Sequence, residues 1–88
     1  MARADDLLAR MQRNPAADRT VADVEKLCRE HDIKFLPPGG GGSHYKIAHP
    51  VVQEILTIPA RRPIKPKYIR LLVKFVRLVI EYLPEVKL

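Results

Sequence analysis

The chain has 88 residues, which is enough for one domain, and a domain of this size buries only roughly 60% of its unfolded surface, so no deep substrate cavity is expected. Its 47% hydrophobic and 30% charged residues are ordinary for a globular protein, and no apolar run approaches the ~20 residues that span a bilayer. The first 13 residues lack the apolar core of a secretory signal. A single cysteine, Cys28, excludes an internal disulfide and a multi-thiolate metal site and fits a reducing cytosol, so a cytoplasmic protein is predicted.

The net charge of +6 is unevenly distributed along the chain. Residues 1–45 carry seven basic and seven acidic side chains, whereas residues 46–88 carry nine basic and three acidic ones. This asymmetry predicts a surface that faces a polyanion, either a nucleic acid or an acidic protein. Small basic proteins that bind no nucleic acid also exist, so the charge by itself leaves that alternative open.

Two helices are predicted in the first third of the chain. Residues 4–13 form the first, with Leu7, Leu8 and Met11 on one side, and Asn14-Pro15 ends it because a residue before proline avoids the α region. Thr20 is a good N-cap for the second helix, which ends near His31. The apolar stripe of that helix is Val21, Val24, Leu27 and Cys28. Its cysteine is predicted to be a buried structural thiol.

Three short strands are predicted next, at residues 33–36, 43–48 and 54–58. Pro37-Pro38 with a glycine run separates the first two, and His49-Pro50 separates the last two. The short connections predict an antiparallel meander.

Alternation along the second strand predicts which side chains share a face of the sheet. Tyr45 and Ile47 point to the core, and His44, Lys46 and Ala48 point to the opposite face. The histidine and the lysine are therefore expected side by side on an open surface.

The last predicted helix, residues 67–83, follows a rigid basic loop at residues 60–66. One apolar stripe of this helix is expected to cover the sheet; its members are Ile69, Leu72, Val73, Val76, Val79, Ile80 and Leu83. A further apolar stripe consists of Tyr68, Leu71, Phe75, Leu78 and Tyr82. This second stripe either holds the N-terminal helices or marks a protein partner. The predicted fold class is α+β, with helices on one face of a three-stranded sheet.

The stretch around His44 has residues suited to RNA cleavage. An imidazole transfers protons near neutral pH, and a ribonuclease needs a base, an acid and positive charge for the phosphorane-like transition state. Lys46, Arg61 and Arg62 are candidates for that charge, and glycines let backbone N–H groups approach a phosphate. Each feature also has a plain structural explanation: a flexible turn, a surface histidine and a solvated basic face. His49, before a proline, is expected to shape its turn.

These motifs, in this order, resemble the HicA family, the toxins of type II toxin–antitoxin modules. The resemblance covers about residues 20–80 and is carried by Gly42-Ser43-His44, His49-Pro50, Ile58-Pro59 and Ile64-Lys65-Pro66 before a C-terminal helix. It implies a fold like the double-stranded RNA-binding domain in an α-β-β-β-α order. It also implies an mRNA-cleaving endoribonuclease that needs neither a metal nor another cofactor. Residues 19–84 then form the HicA-like domain, and residues 1–18 form an N-terminal helical extension.

The resemblance implies residue roles as well. The catalytic histidine of the Gly-Ser-His motif is His44. The expected RNA-binding residues are Gly41, Gly42, Ser43, Lys46, Arg61, Arg62 and Lys65. A HicB-type antitoxin is the implied protein partner, and the residues expected to contact it are Tyr68, Leu71, Phe75 and Leu78.

The sequence departs from the commoner family pattern in three places. Tyr45 follows the motif histidine where many members have a second histidine, so a pair of histidines acting as acid and base is not assumed. Lys67-Tyr68 opens the last helix where a Gly-Thr pair is frequent, and residues 1–18 have no counterpart in minimal members. Two other functions stay open: a non-catalytic RNA-binding module, and an interaction protein that associates through its last helix.

Overall fold

The computed structural model describes residues 3–40 and 42–86, with side chains over 7–40 and 42–82. Its elements, in chain order, are α1 Arg3–Arg13, α2 Val21–Glu30, β1 Lys34–Leu36, β2 His44–His49, β3 Val52–Pro59 and α3 Pro66–Val86. The strands form one antiparallel sheet in the order β1-β2-β3. The predicted α+β class, the meander and all six elements are confirmed.

Two element boundaries differ from the predicted ones by more than one residue. β3 begins at Val52 rather than at residue 54, because its first residue pairs with His49 beside an irregularity in the ladder. α3 continues to Val86, although Pro84 was expected to end it near residue 83. A proline removes one hydrogen bond from the last turn, but its fixed φ is compatible with a helix, so the backbone continues for two more residues.

The hydrophobic core lies between the three helices and one face of the sheet. α1 supplies Leu7, Leu8 and Met11, which are 0–3% exposed. The other buried residues are Val24, Leu27, Cys28, Ile33, Ile47, Ile58, Ile64, Ile69, Leu72, Val73, Phe75, Val76 and Val79. α1 contacts both α2 and α3, and the Arg77 guanidinium donates a 2.9 Å hydrogen bond to the side-chain oxygen of Gln12. The N-terminal helix is therefore part of the same core as the sheet.

The two faces of the sheet differ as the strand alternation predicted. On the core face Ile47 is buried, and the Tyr45 ring stacks on Phe35 with ring centroids 5.1 Å apart. On the other face His44 and Lys46 are exposed. No helix covers that face in the described residues, so the imidazole of His44 and the ammonium of Lys46 both face solvent.

α2 begins and ends on local hydrogen bonds. The backbone N–H of Thr20 donates to the Asp23 carboxylate at 2.9 Å, which is half of a capping box. At the other end Asp32 adopts a positive φ of 59°, and the Ile33 N–H donates to the Cys28 carbonyl at 2.8 Å. The chain thereby turns directly from α2 into β1. Over the residues described, no helix has the length and apolarity needed to cross a bilayer.

Candidate nucleic-acid interface

A tight glycine turn immediately precedes His44. The Gly42 N–H donates to the Gly39 carbonyl at 2.9 Å, and Gly40 has a positive φ of 42° that side chains rarely adopt. A Cβ on Gly42 would lie 3.2 Å from the Gly39 oxygen, which is a tight contact. The turn thus favours glycine at two positions, most strongly at Gly40. Gly41, one of the predicted RNA-binding residues, lies outside the described residues.

One backbone hydrogen bond holds the loop after β3 beside His44. The Ala60 N–H donates to the Ser43 carbonyl at 2.7 Å, and His44 is the cross-strand partner of Pro59. This fixes the start of the basic loop next to the start of β2. Arg61, which follows directly, is thereby brought to the same end of the sheet as the histidine.

Two concavities meet at His44. The first, called here the basic groove, has a volume of about 490 Å³ and is lined by Ser43, His44, Pro59, Ala60, Arg61, Lys65 and Tyr68. The second, called the turn groove, has a volume of about 390 Å³ and is lined by Leu36, Pro37, Pro38, Gly39, Gly42, Ser43, His44 and Lys46. Ser43 and His44 belong to both. Both grooves are shallow and open, as expected for so short a chain.

The charged side chains that line the two grooves are all basic. Arg61 and Lys65 line the basic groove and Lys46 lines the turn groove, so His44 has cationic neighbours on both sides. Among the side chains that the structure describes, no carboxylate lines either groove. The Ser43 hydroxyl lies 3.5 Å from Nδ1 of His44. An exposed imidazole with cations around it suits an anionic ligand such as a phosphodiester.

The structure separates two adjacent arginines that the sequence grouped together. Arg61 lines the basic groove, but Arg62 lines neither groove, and its guanidinium lies 4.0 Å from the Asp18 carboxylate. Arg62, which was predicted to bind RNA, therefore lies outside the two grooves, and its contact with RNA stays a prediction. The remaining described residues predicted to bind RNA, namely Gly42, Ser43, Lys46, Arg61 and Lys65, all line one groove or both.

Tyr68 is a member of the basic groove that the sequence placed elsewhere. It was grouped with the partner-binding stripe of α3, yet it lies three residues after Lys65 in the first turn of that helix, where its N–H donates to the Lys65 carbonyl at 3.0 Å. The ammonium of Lys67 lies 5.1 Å from the centre of the Tyr68 ring. Tyr68 follows Lys65 by three residues at the start of the helix, and this spacing was the signal that could have placed Tyr68 in the basic groove.

The other members of that stripe have different environments. Leu71 is 48% exposed, and it lines a separate groove beside β3 together with Phe75 and Leu78. Phe75 itself is 5% exposed and packs mainly in the core, so it contributes little surface to that groove. The stripe is therefore not one continuous surface.

The remaining histidines and the cysteine have structural roles. His49 accepts a 3.1 Å hydrogen bond from the Val51 N–H through Nδ1, which confirms that it shapes the turn between β2 and β3. His31 is the C-cap of α2. Burial, with a smaller contribution from the Glu25 charge, raises the pKa of Cys28 to about 12. This thiol is neutral at physiological pH and is a core residue, as predicted.

A further concavity lies at the other end of β2. It has a volume of about 560 Å³, and Lys34, Ala48, His49 and Ile55 are among the residues that line it. The imidazole of His49 is held there by the turn. This concavity has one lysine and one carboxylate, Asp32, so it lacks the cationic character of the two grooves at His44.

These features define an α+β domain with an exposed histidine at the junction of two cationic grooves. Comparison of the chain with family models, with curated proteins and with solved structures finds no match. The likeness to the HicA family therefore stays a prediction from the sequence motifs.

Proposed function

We propose that the protein is an endoribonuclease toxin of the HicA type that cleaves mRNA without a metal ion, with a fold like the double-stranded RNA-binding domain. The observation that carries the proposal is the position of His44. Its exposed imidazole is shared by two grooves that contain Arg61, Lys65 and Lys46, and no described carboxylate lines them. The Gly-Ser-His motif that carries the family resemblance is located at this junction.

The proposed reaction is transesterification within the RNA chain. The ribose 2′-oxygen forms a bond to the adjacent phosphorus while the bond from phosphorus to the 5′-oxygen breaks. A base removes the 2′-hydroxyl proton, and an acid supplies a proton to the departing 5′-oxygen, which leaves a 2′,3′-cyclic phosphate and a 5′-hydroxyl. His44 transfers one of these protons. Tyr68, whose phenol hydroxyl belongs to a side chain that lines the same groove, is the candidate to assist with the second.

The cations stabilise charge that develops during this step. Arg61 and Lys65 face the same concavity as His44, so both are placed to neutralise the phosphorane-like transition state. Lys46 lies in the neighbouring groove, where the next phosphate along the strand would bind. A HicB-type antitoxin would inhibit the enzyme by seating acidic groups over both grooves, with Tyr68 at the margin of the contact.

Replacement of His44 by alanine tests this proposal. We expect His44→Ala to abolish RNA cleavage in the presence of EDTA and to abolish growth arrest, with the circular dichroism spectrum unchanged because the side chain is exposed. His49→Gln is the matched control, since its imidazole lies outside both grooves. A His44→Ala protein that still cuts RNA and arrests growth would remove His44 from the chemistry.

A non-catalytic RNA-binding module is the second candidate. It is favoured by the fact that His44 is the one imidazole lining the two grooves among the described residues. A cationic surface of this kind reads the backbone of RNA without chemistry. Purified protein that binds RNA in a salt-dependent way, but yields no cyclic-phosphate product, would establish this alternative.

A further inference from the structure

Leu36 is an exposed apolar residue that does not belong to the hydrophobic core. It is the last residue of β1 and is 41% exposed, whereas the preceding residue, Phe35, lies on the core face and stacks on Tyr45. Antiparallel partners project from the same face of a sheet, and the partner of Leu36 is Lys46. Leu36 therefore lies beside Lys46 on the open face of the sheet, which is also the face of His44.

The turn groove continues this apolar surface. Its uncharged lining consists of Leu36, Pro37, Pro38, Gly39, Gly42 and Ser43. Apart from His44, Lys46 is the one titratable side chain that lines it in the described part of the chain. The basic groove, by contrast, contains both Arg61 and Lys65. The two concavities that meet at His44 therefore suit different parts of one ligand, an anionic group in the basic groove and an apolar group in the turn groove.

The apolar wall of the turn groove is held in place by the glycine turn. The Gly42 N–H donates to the Gly39 carbonyl at 2.9 Å, and a Cβ on Gly42 would lie 3.4 Å from the Cβ of Pro38, so the turn packs against this proline. Proline has a fixed φ and loses almost no side-chain freedom when it is covered. A ligand that covers this wall therefore binds a surface that needs little ordering.

We propose that the turn groove is a nucleobase subsite, an inference that rests on the proposed function. The base of a nucleotide next to the cleaved phosphate packs on Leu36, Pro37 and Pro38. Its own phosphate meets Lys46, while the cleaved phosphate occupies the basic groove with Arg61. Every base has a flat face that can pack in this way, so the contact selects for a base without specifying which one.

The subsite defines the substrate as single-stranded RNA. In an A-form duplex every base is paired and stacked, and the major groove is too deep and narrow for side chains to read. A base can pack on Leu36 only after it has left its stack, which is the state of bases in loops and single strands. A surface that read only the shape of a duplex would need cations but no exposed apolar wall.

Matched oligonucleotides with and without bases test the subsite. The probes are short 2′-deoxy homopolymers of each base and an abasic deoxyribose-phosphate polymer of the same length and charge, measured by fluorescence anisotropy. None of them has the 2′-hydroxyl that the proposed cleavage requires, so the unmodified protein can be titrated. Stacking on an aromatic side chain changes affinity roughly 5- to 150-fold per base, and for an aliphatic wall we expect the lower end, about fivefold, between the best homopolymer and the abasic polymer.

Leu36→Ala should remove most of this difference. It should weaken binding of the homopolymer severalfold and leave binding of the abasic polymer unchanged, because it removes apolar contact but no charge. Ile55→Ala is the matched control, since Ile55 is 59% exposed and lines neither of the two grooves at His44. Both side chains are exposed, so the circular dichroism spectra of the variants should match that of the unmodified protein.

Two results would overturn the subsite: equal affinity of the unmodified protein for the homopolymers and the abasic polymer, or a loss for Leu36→Ala that is the same with and without bases. An equally large loss for Ile55→Ala would also exclude the turn groove. Failure of the proposed function has a different signature. Base-dependent binding through Leu36 without a cyclic-phosphate product from RNA would refute cleavage and retain the subsite, whereas cleavage without base-dependent binding would do the reverse.

Discussion

The salt dependence of RNA binding gives the sharpest test of the interface. Arg61 and Lys65 line the basic groove, whereas the adjacent Arg62 lies 4.0 Å from Asp18 and outside both grooves. Each cation that contacts a phosphate of single-stranded RNA contributes roughly 0.7 to the slope of log affinity against log salt concentration. The structure therefore predicts unequal effects for three neighbouring positive charges.

The expected magnitude follows from that slope. Replacing both Arg61 and Lys65 by alanine should lower the slope by about 1.4, so that a fourfold rise in salt weakens the unmodified protein about sevenfold more than the double variant. Arg62→Ala removes one positive charge, as Arg61→Ala does, and should leave the slope unchanged, because Arg62 lines neither groove and lies beside the Asp18 carboxylate.

Fluorescence anisotropy with a labelled single-stranded RNA, titrated at several salt concentrations, measures these slopes. A His44→Ala background prevents cleavage during the titration if the proposed chemistry holds. The reasoning would be refuted if Arg62→Ala lowered the slope as much as Arg61→Ala, since the groove would then not determine which cations meet the phosphates. Equal and unchanged slopes for all variants would place RNA on another surface.

Two further predictions concern the core. Met11→Ala should lower the free energy of unfolding by about 2–5 kcal/mol in urea denaturation, because the side chain is fully buried. Arg13→Ala, at an exposed position of the same helix, should have little effect. A negligible loss for Met11→Ala would show that α1 does not contribute to the stability of the core. Burial raises the pKa of Cys28 from its ordinary 9.0 to about 12, so above pH 9 the thiol ionises in the unfolded chain first. Stability should therefore fall as pH rises from about 9 towards 12, and Cys28→Ala should remove that part of the fall; an identical pH profile in the variant would show that the thiol is not responsible.

Periodicity allowed much of the fold to be predicted from the sequence. The strand alternation placed Ile47 in the core and both His44 and Lys46 on the open face, because side-chain direction in a strand depends on the backbone of that strand alone. The burial of Ile69 and Val76 was likewise predicted from the spacing of apolar residues along a single helix. Neither prediction required knowing which element packs against that strand or that helix.

The membership of the site depended on contacts between distant residues. Arg61 and Arg62 are identical in type and adjacent, so no local pattern separates them. The Ala60 N–H bond to Ser43 and the Ile64 N–H bond to the Arg19 carbonyl, at 2.9 Å, fix the path of the loop that directs one towards His44 and the other towards Asp18. Both bonds join segments that are far apart in sequence.

The sequence by itself determined the order of the elements, the face on which His44 lies and the basic excess of the second half of the chain, since each is a property of short segments or of composition. Tertiary structure decided that Lys65 and Tyr68 share a groove with His44, that Phe75 belongs to the core and that Leu36 lies in a groove with Lys46. A helix with two apolar stripes is compatible with several arrangements of neighbours. Only packing against a particular sheet and a particular helix selects which residues are buried and which face a ligand or a second chain.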